Sequence, residues 1–230
     1  MKTAIFNLSI GYKPEWEICQ TSQREYCKKH NIDYIQLTES KVHFINCYFE
    51  KFECLQLLEE YDRVLCIDSD ILINPNAENI FERYPDTDTL YAFHENVGGL
   101  DMNRDPWIET YSPKFKWPMF NDRKQYFNTG CILYSKIHSN LFNLIKGIKF
   151  TPKHFSIDGG EQTAINYIVT QNDWKFKSLD YSFNRMDLGA EDPNEDRLKA
   201  NFIHYAGPCK YLSKGETKHT LITNDWEKLK

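Results

Sequence analysis

The 230-residue chain carries 28 Lys and Arg against 33 Asp and Glu, a formal net charge of −5, with 41% hydrophobic and 15% aromatic residues. That length buries the core of one compact domain, and a negative balance without any basic block excludes a surface built for a nucleic-acid backbone. Seven scattered cysteines lacking a CxxC pair, and no apolar run of membrane-spanning length, lead us to expect reduced core thiols in a cytoplasmic protein.

Residues 5–10 are apolar apart from Asn7 and Ser9 and stop at Gly11, which predicts a short interior strand rather than a secretory leader. Over residues 15–30, Trp16, Cys19, Gln23, Tyr26 and Cys27 recur at helical spacing. A strand is expected at 31–37, and then a second helix at 44–61 with Tyr48, Phe49, Phe52, Leu55 and Leu58 along one face. Arg63-Val-Leu-Cys-Ile67 is a dense apolar run ahead of Asp68, the pattern of a strand covered on both faces in a parallel sheet. This early alternation of strand and helix sets the fold class as α/β with a mostly parallel central sheet.

Further along, a strand at 71–73, a short helix at 77–84 and a strand at 90–94 are expected. Between 96 and 125, Gly, Pro, Trp and Asn are frequent and periodicity fades, so this segment runs over the sheet, where Trp107, Tyr111, Phe115, Trp117 and Phe120 need burial. A strand at 127–134, helices at 139–150 and 159–170, and last strands at 174–179 and 202–204 complete a single domain.

The most informative segment is Arg63-Val-Leu-Cys-Ile-Asp-Ser-Asp-Ile-Leu-Ile-Asn-Pro75. Asp68 and Asp70 stand two apart where the strand runs out, and in extended backbone side chains at i and i+2 point the same way. Both carboxylates then meet at the carboxyl edge of the sheet, where open α/β folds bind ligands. Two like charges side by side call for a cation between them, and carboxylate oxygens suit Mg2+ or Mn2+ with water and phosphate as remaining partners. The plain alternative, Asp70 capping a solvated turn, sits poorly with the apolar flanks. In the tail, Phe202-Ile-His-Tyr-Ala-Gly-Pro-Cys-Lys210 puts His204 at a strand end, Gly207 at a bend and Lys210 beyond it. A neutral imidazole suits a metal shell and a lysine a phosphate, although a hydrogen-bonded core His and a surface Lys are the commoner roles.

Taken together, these pieces resemble the glycosyltransferase family that contains glycogenin and the bacterial lipopolysaccharide galactosyltransferases, which has the GT-A fold, a single nucleotide-sugar-binding domain. Asp68-Ser69-Asp70 is similar to the family's Asp-x-Asp, His204, Gly207 and Lys210 to its late His-x-x-Gly-x-x-Lys, and Phe127-Asn-Thr-Gly130 to its central Phe-Asn-(Ser/Thr)-Gly. The resemblance implies that Asp68, Asp70 and His204 hold Mn2+ or Mg2+, that Asp68 and Asp70 also hold the donor's ribose edge, and that Ser69 belongs to the donor-binding site. It places Gly207 and Lys210 at the diphosphate, Asn128 near the transferred sugar or acceptor, and Lys51 within reach of donor phosphates or sugar. Ser9, Gly11 and Tyr12 would wall the base pocket, with Tyr12 stacking on the base.

The donor implied is a nucleoside-diphosphate sugar, a UDP-sugar foremost, and the acceptor a glycan or glycoprotein, with anomeric retention. The nucleotide-binding part would extend to about residue 95 and the acceptor side over residues 96–230. The chain departs from the family where Asp-Gln-Asp-x-x-Asn is expected, carrying Glu161-Gln162-Thr163-Ala-Ile-Asn166 after Asp158-Gly-Gly160. Glu161 and Gln162, with Asp158 approaching from the loop, are therefore the catalytic-side candidates alongside Asn128. Tyr211-Leu212 replaces the family's Pro-Trp, and the whole is more similar to the compact glycosyltransferases of large algal viruses, which implies a viral protein of the host cytoplasm. Rival readings are a sugar nucleotidyltransferase, an Asp-nucleophile phosphatase, and a non-catalytic carbohydrate- or nucleotide-binding protein of the same fold.

Overall fold

The computed structural model describes residues 1–11, 13–41, 46–95, 104–111, 117, 119–120, 123–148, 160–186, 196–207, 209 and 212–230. Six strands form the main sheet in the order β2 (Asp33–Leu37), β1 (Thr3–Leu8), β3 (Arg63–Asp68), β8 (Phe127–Ser135), β5 (Leu90–His94), β9 (Phe176–Ser178). All run parallel except β8, which is antiparallel to both β3 and β5. Strand alternation sends Ala4, Phe6, Val64, Cys66 and Ile132 to one face, and Ile5, Leu65, Ile67, Cys131 and Leu133 to the other. A 3₁₀ helix (Cys47–Glu59), α4 (Leu141–Lys146) and α5 (Gly160–Gln171) cover the first face, and α1 (Pro14–His30) with α2 (Ile80–Arg83) covers the second. Both faces of β1 and β3 are thus buried, which is why these strands read as continuous apolar runs.

A small sheet, β10 (Arg185–Met186), β11 (Phe202–His204), β4 (Ile71–Ile73), hangs on the carboxyl end of β3. Antiparallel pairing sets His204 opposite Ile71, and the Tyr205 N–H donates to the Asp70 carbonyl at 3.1 Å. This register brings the tail of the chain beside the turn that follows β3. A last helix, α6 (Lys218–Leu229), is capped by the Thr217 hydroxyl, a contribution of about 1 kcal/mol. Its Leu221, Ile222 and Trp226 pack against Cys19, Ile203 and Tyr205, locking the tail to α1. The remaining described elements are α3 (Asp105–Tyr111) and the short pair β6 (Met119–Phe120) and β7 (Arg123–Lys124).

Several expectations need correction. The apolar face predicted at 44–61 is present, but Cys47–Glu59 winds as a 3₁₀ helix that buries Glu50, Lys51 and Glu53 along with its apolar residues, so a simple amphipathic pattern does not describe it. The segment at 96–125 is not simply irregular, because α3 lies inside it; Trp117 is buried and Trp107 half-buried, while the side chains of Tyr111, Phe115 and Phe120 lie outside the described residues. The helix expected at 139–150 begins as a 3₁₀ turn (Lys136–Asn140) before α4. No helix was expected after residue 212, although Thr217 and the Leu221, Ile222 and Trp226 spacing mark α6. Six of the seven cysteines are buried, Cys47 is exposed, and all are free thiols, as expected of reduced core positions. Among the described residues no helix is long and apolar enough to cross a membrane.

Candidate functional site

Asp68 is the last residue of β3, while Asp70 lies in the turn before β4. The carboxylates therefore converge through that turn and not, as the spacing had suggested, through strand alternation. Ser69 pins it: its buried hydroxyl donates to the Leu8 carbonyl at 2.6 Å and to Asn7 Oδ1 at 3.2 Å. Gln23 Nε2 donates to the carbonyls of Asp68 and Ile71 from the other side. One ligand atom each from Asp68, Asp70 and His204 lie within 4.8 Å of one another. His204 Nε2 stands 3.7 Å from Asp68 Oδ2 and 3.4 Å from Asp70 Oδ1. Two carboxylate oxygens and an imidazole nitrogen converging on one point are a donor set that fits Mn2+ or Mg2+.

The local charges are arranged around this point. Lys51, buried on the 3₁₀ helix, places Nζ 2.5 Å from Asp68 Oδ1 and 3.6 Å from Glu161 Oε1. Burial alone would lower its pKa, but the two carboxylates beside it raise it. For Asp70, burial pushes the carboxyl upward, and His204, Lys218 and Lys51 together pull it below its ordinary value. Lys218, the first residue of α6, donates to the Tyr205 carbonyl at 2.6 Å and approaches Asp70 Oδ2 at 3.7 Å. Among the described residues, Glu161 Oε2 is buried without a hydrogen-bond partner beside the Lys51 ion pair.

Next to the acidic turn, amides form a connected network. Asn128 Oδ1 accepts from the Gly130 backbone N–H at 2.8 Å and from Asn184 Nδ2 at 3.0 Å. Asn184 Oδ1 lies 2.8 Å from His204 Nδ1. Asn128 Nδ2 donates to Gln162 Oε1 at 3.2 Å and Glu95 Oε1 at 3.3 Å, and Gln162 Nε2 donates to Glu95 at 3.1 Å. Arg104 closes the network with Nε 2.6 Å and Nη2 2.9 Å from the buried Glu95 carboxylate, its guanidinium stacked on Trp107.

The acidic turn, His204, Lys51 and most of the amide network border one cleft of about 360 Å3. Its lining includes Leu8, Ile10, Lys13, Trp16, Cys47 and Tyr48, the acidic turn with His204 and Gly207, and Glu95, Arg104, Trp107, Asn128, Gln162 and Met186. The structure thus gathers Lys51, Asp68, Ser69, Asp70, Asn128, Glu161, Gln162, His204 and Gly207 of the sequence candidates. Gly207 takes φ +54°, a left-handed bend suited to glycine. Ser9 accepts from Gln36 Nε2 and Gly11 is exposed at φ +81°; neither is among the cleft-lining residues, whose wall here is Leu8 and Ile10. Tyr12, Asp158 and Lys210 lie outside the described residues. Asn166 has a structural task, bridging both backbone groups of Phe127. Sequence reasoning did not find Glu95, Arg104, Trp107 or Asn184; the only local signal was Glu95 closing the apolar strand at 90–94.

The sequence profile of glycosyl transferase family 8 matches residues 7–211. No curated protein matches the chain. Among solved structures, a glycosyltransferase involved in glycosylation of the major capsid of PBCV-1 superposes with a TM-score of 0.59 at 16% identity, covering 90% of this chain and 96% of that one. GlyE of Streptococcus pneumoniae TIGR4 gives 0.57 at 16% identity, over 99% of this chain and 62% of its own. An active-site mutant of LgtC gives 0.58 at 12% identity, over 96% and 95%. At these identities the likeness is one of fold, the GT-A type. It extends across viral and bacterial proteins and does not single out glycogenin or the lipopolysaccharide enzymes.

Proposed function

The chain belongs to glycosyl transferase family 8, and from that premise we propose that it transfers a sugar from a nucleoside-diphosphate sugar, a UDP-sugar foremost, to a glycan or glycoprotein acceptor. The observation that carries this reading is the convergence of Asp68, Asp70 and His204 on one point in the lining of the cleft. A divalent cation, Mn2+ or Mg2+, would supply charge neutralisation for the leaving diphosphate. Asp68, Asp70 and His204 would hold it, and the ion pair with Lys51 orients the Asp68 carboxylate. The apolar end, Leu8, Ile10 and Trp16, suits a flat base, so residues up to about 95 would bind the nucleotide. Lys210 would meet the diphosphate, and Tyr12 the base.

At the other end, Asn128 and Gln162 offer neutral amides to sugar hydroxyls, and residues 96–230 would supply the acceptor side. Among the described residues the two carboxylates of that end face cations, Glu161 beside Lys51 at 3.6 Å and Glu95 on Arg104 at 2.6 Å. This agrees with a retaining transfer in which the donor phosphate takes the acceptor proton. Asp158 remains a candidate beside that end. The capsid-directed role of the PBCV-1 relative makes a viral glycoprotein acceptor in the host cytoplasm the natural extension of this reading.

Incubation with Mn2+ and a panel of nucleotide sugars, without acceptor, tests it through release of nucleoside diphosphate. One donor should turn over slowly, and chelation or Asp70→Ala should stop it. If no donor turns over and no nucleoside diphosphate binds in the presence of Mn2+, the chain is not a transferase of this kind.

A further inference from the structure

Resting on the metal-dependent reading above, we propose that Asn184 is the positioning residue for His204, the last member of an amide relay that links the cation site to the sugar end of the cleft. The relay has a fixed direction because two backbone N–H groups anchor it. The Gly130 N–H can only donate, so the Asn128 atom it meets at 2.8 Å is the carbonyl oxygen. That oxygen also faces Asn184 at 3.0 Å, so the Asn184 atom there is the NH2. The Asn184 carbonyl oxygen is then the atom 2.8 Å from His204 Nδ1. An amide oxygen has no proton to give, so Nδ1 carries the hydrogen and Nε2 is the nitrogen presented to the two carboxylates.

The second anchor gives the same answer. The Thr129 N–H donates to Gln162 Oε1 at 3.1 Å, which leaves Gln162 Nε2 to donate to Glu95 and Oε1 to accept from Asn128 Nδ2. Asn128 and Gln162 are thereby oriented by main chain, and Asn184 follows from Asn128. Glycine is required at its centre: a Cβ on Gly130 would collide with His204 Cε1 and lie 2.9 Å from both His204 Nδ1 and Asn128 Oδ1. Residue 130 therefore leaves the space that the imidazole occupies. Asn184 itself is fully buried and does not line the cleft, so its part is played through His204. A partner that fixes the far nitrogen of a metal-binding imidazole typically changes metal affinity ten- to a hundredfold.

The test uses full-length protein labelled with 15N-histidine, with His204 assigned through His204→Asn. In the wild type, Nδ1 of His204 should be protonated and its proton slow to exchange. In Asn184→Leu that signal should be lost, and calorimetry with Mn2+ alone should show binding about tenfold weaker or more. Asn184→Asp, which keeps an acceptor for Nδ1–H, should bind Mn2+ within about threefold of wild type. An unprotonated Nδ1 in the wild type overturns the relay even if the variants fail to fold, and so does an Asn184→Leu protein whose Nδ1 signal and Mn2+ affinity match the wild type. An intact relay in a protein that turns over no donor supports this inference and counts against the transferase reading instead.

Discussion

Two acidic clusters lie on either side of Tyr205, and they are built differently. Asp225, fully buried on α6, receives Arg197 Nε at 2.8 Å, Arg197 Nη2 at 2.7 Å and the Tyr205 hydroxyl at 2.7 Å. One negative charge meets one positive charge, and every bond is short. One residue earlier in the chain, His204 stands 3.4 Å and 3.7 Å from Asp70 and Asp68, and the Lys218 ammonium stops 3.7 Å short of Asp70. Among the described residues, Lys51 on Asp68 is the charged partner that makes a close contact with either carboxylate. A structural carboxylate is saturated by its own chain, whereas the pair on the cleft is spaced around a point that a cation from outside can fill.

The widest separation between the clusters should come from Asp70→Ala. Metal-dependent donor turnover should fall by about a thousandfold or more, with the urea midpoint little changed. Asp225→Asn should do the reverse: breaking the buried pair with Arg197 should cost about 3 kcal/mol in urea unfolding, while Mn2+ affinity stays within about threefold. Equal losses of Mn2+ binding in both variants would erase the distinction. Gly130→Ala should come next, since its methyl group displaces the His204 ring. Mn2+ binding measured by calorimetry should weaken about ten- to a hundredfold.

The last effect concerns acid. Burial pulls the His94 and His138 imidazoles down from 6.5 to about 4, and neither lines the cleft. Both are neutral in the fold, and as pH falls below 6.5 the unfolded chain takes up protons first. Stability should therefore decline between pH 6.5 and about 4, by up to about 1.4 kcal/mol per pH unit for each histidine. His94→Phe should flatten that decline in urea melts taken across the range, and an unchanged slope would place the acid sensitivity elsewhere. The comparison is sharpened because acid unfolding is then separable from loss of the cation at neutral pH.

Much of the centre was readable because its signals are local. The apolar run of β3 and the Asp-Ser-Asp that ends it lie within eight consecutive residues, and His204 closes a short apolar strand. The reversed direction of β8 was not readable, since a strand buried on both faces looks the same either way along the sheet. Asn184 left no trace either: it meets Asn128 across 56 residues of sequence, from the position just before a two-residue strand that no periodicity announces. Glu95 and Arg104 are likewise paired across a segment whose composition suggested only a covering loop.

Asp68, Asp70 and His204 should hold a cation that in turn holds a nucleotide. Calorimetry of UDP against the full-length protein, with and without Mn2+, reads this directly when run beside Asp70→Ala and His204→Ala. Binding that requires Mn2+ in the wild type and is lost in both variants is the predicted result. UDP binding that ignores Mn2+, or that survives both substitutions, would place the nucleotide elsewhere and contradict the assignment.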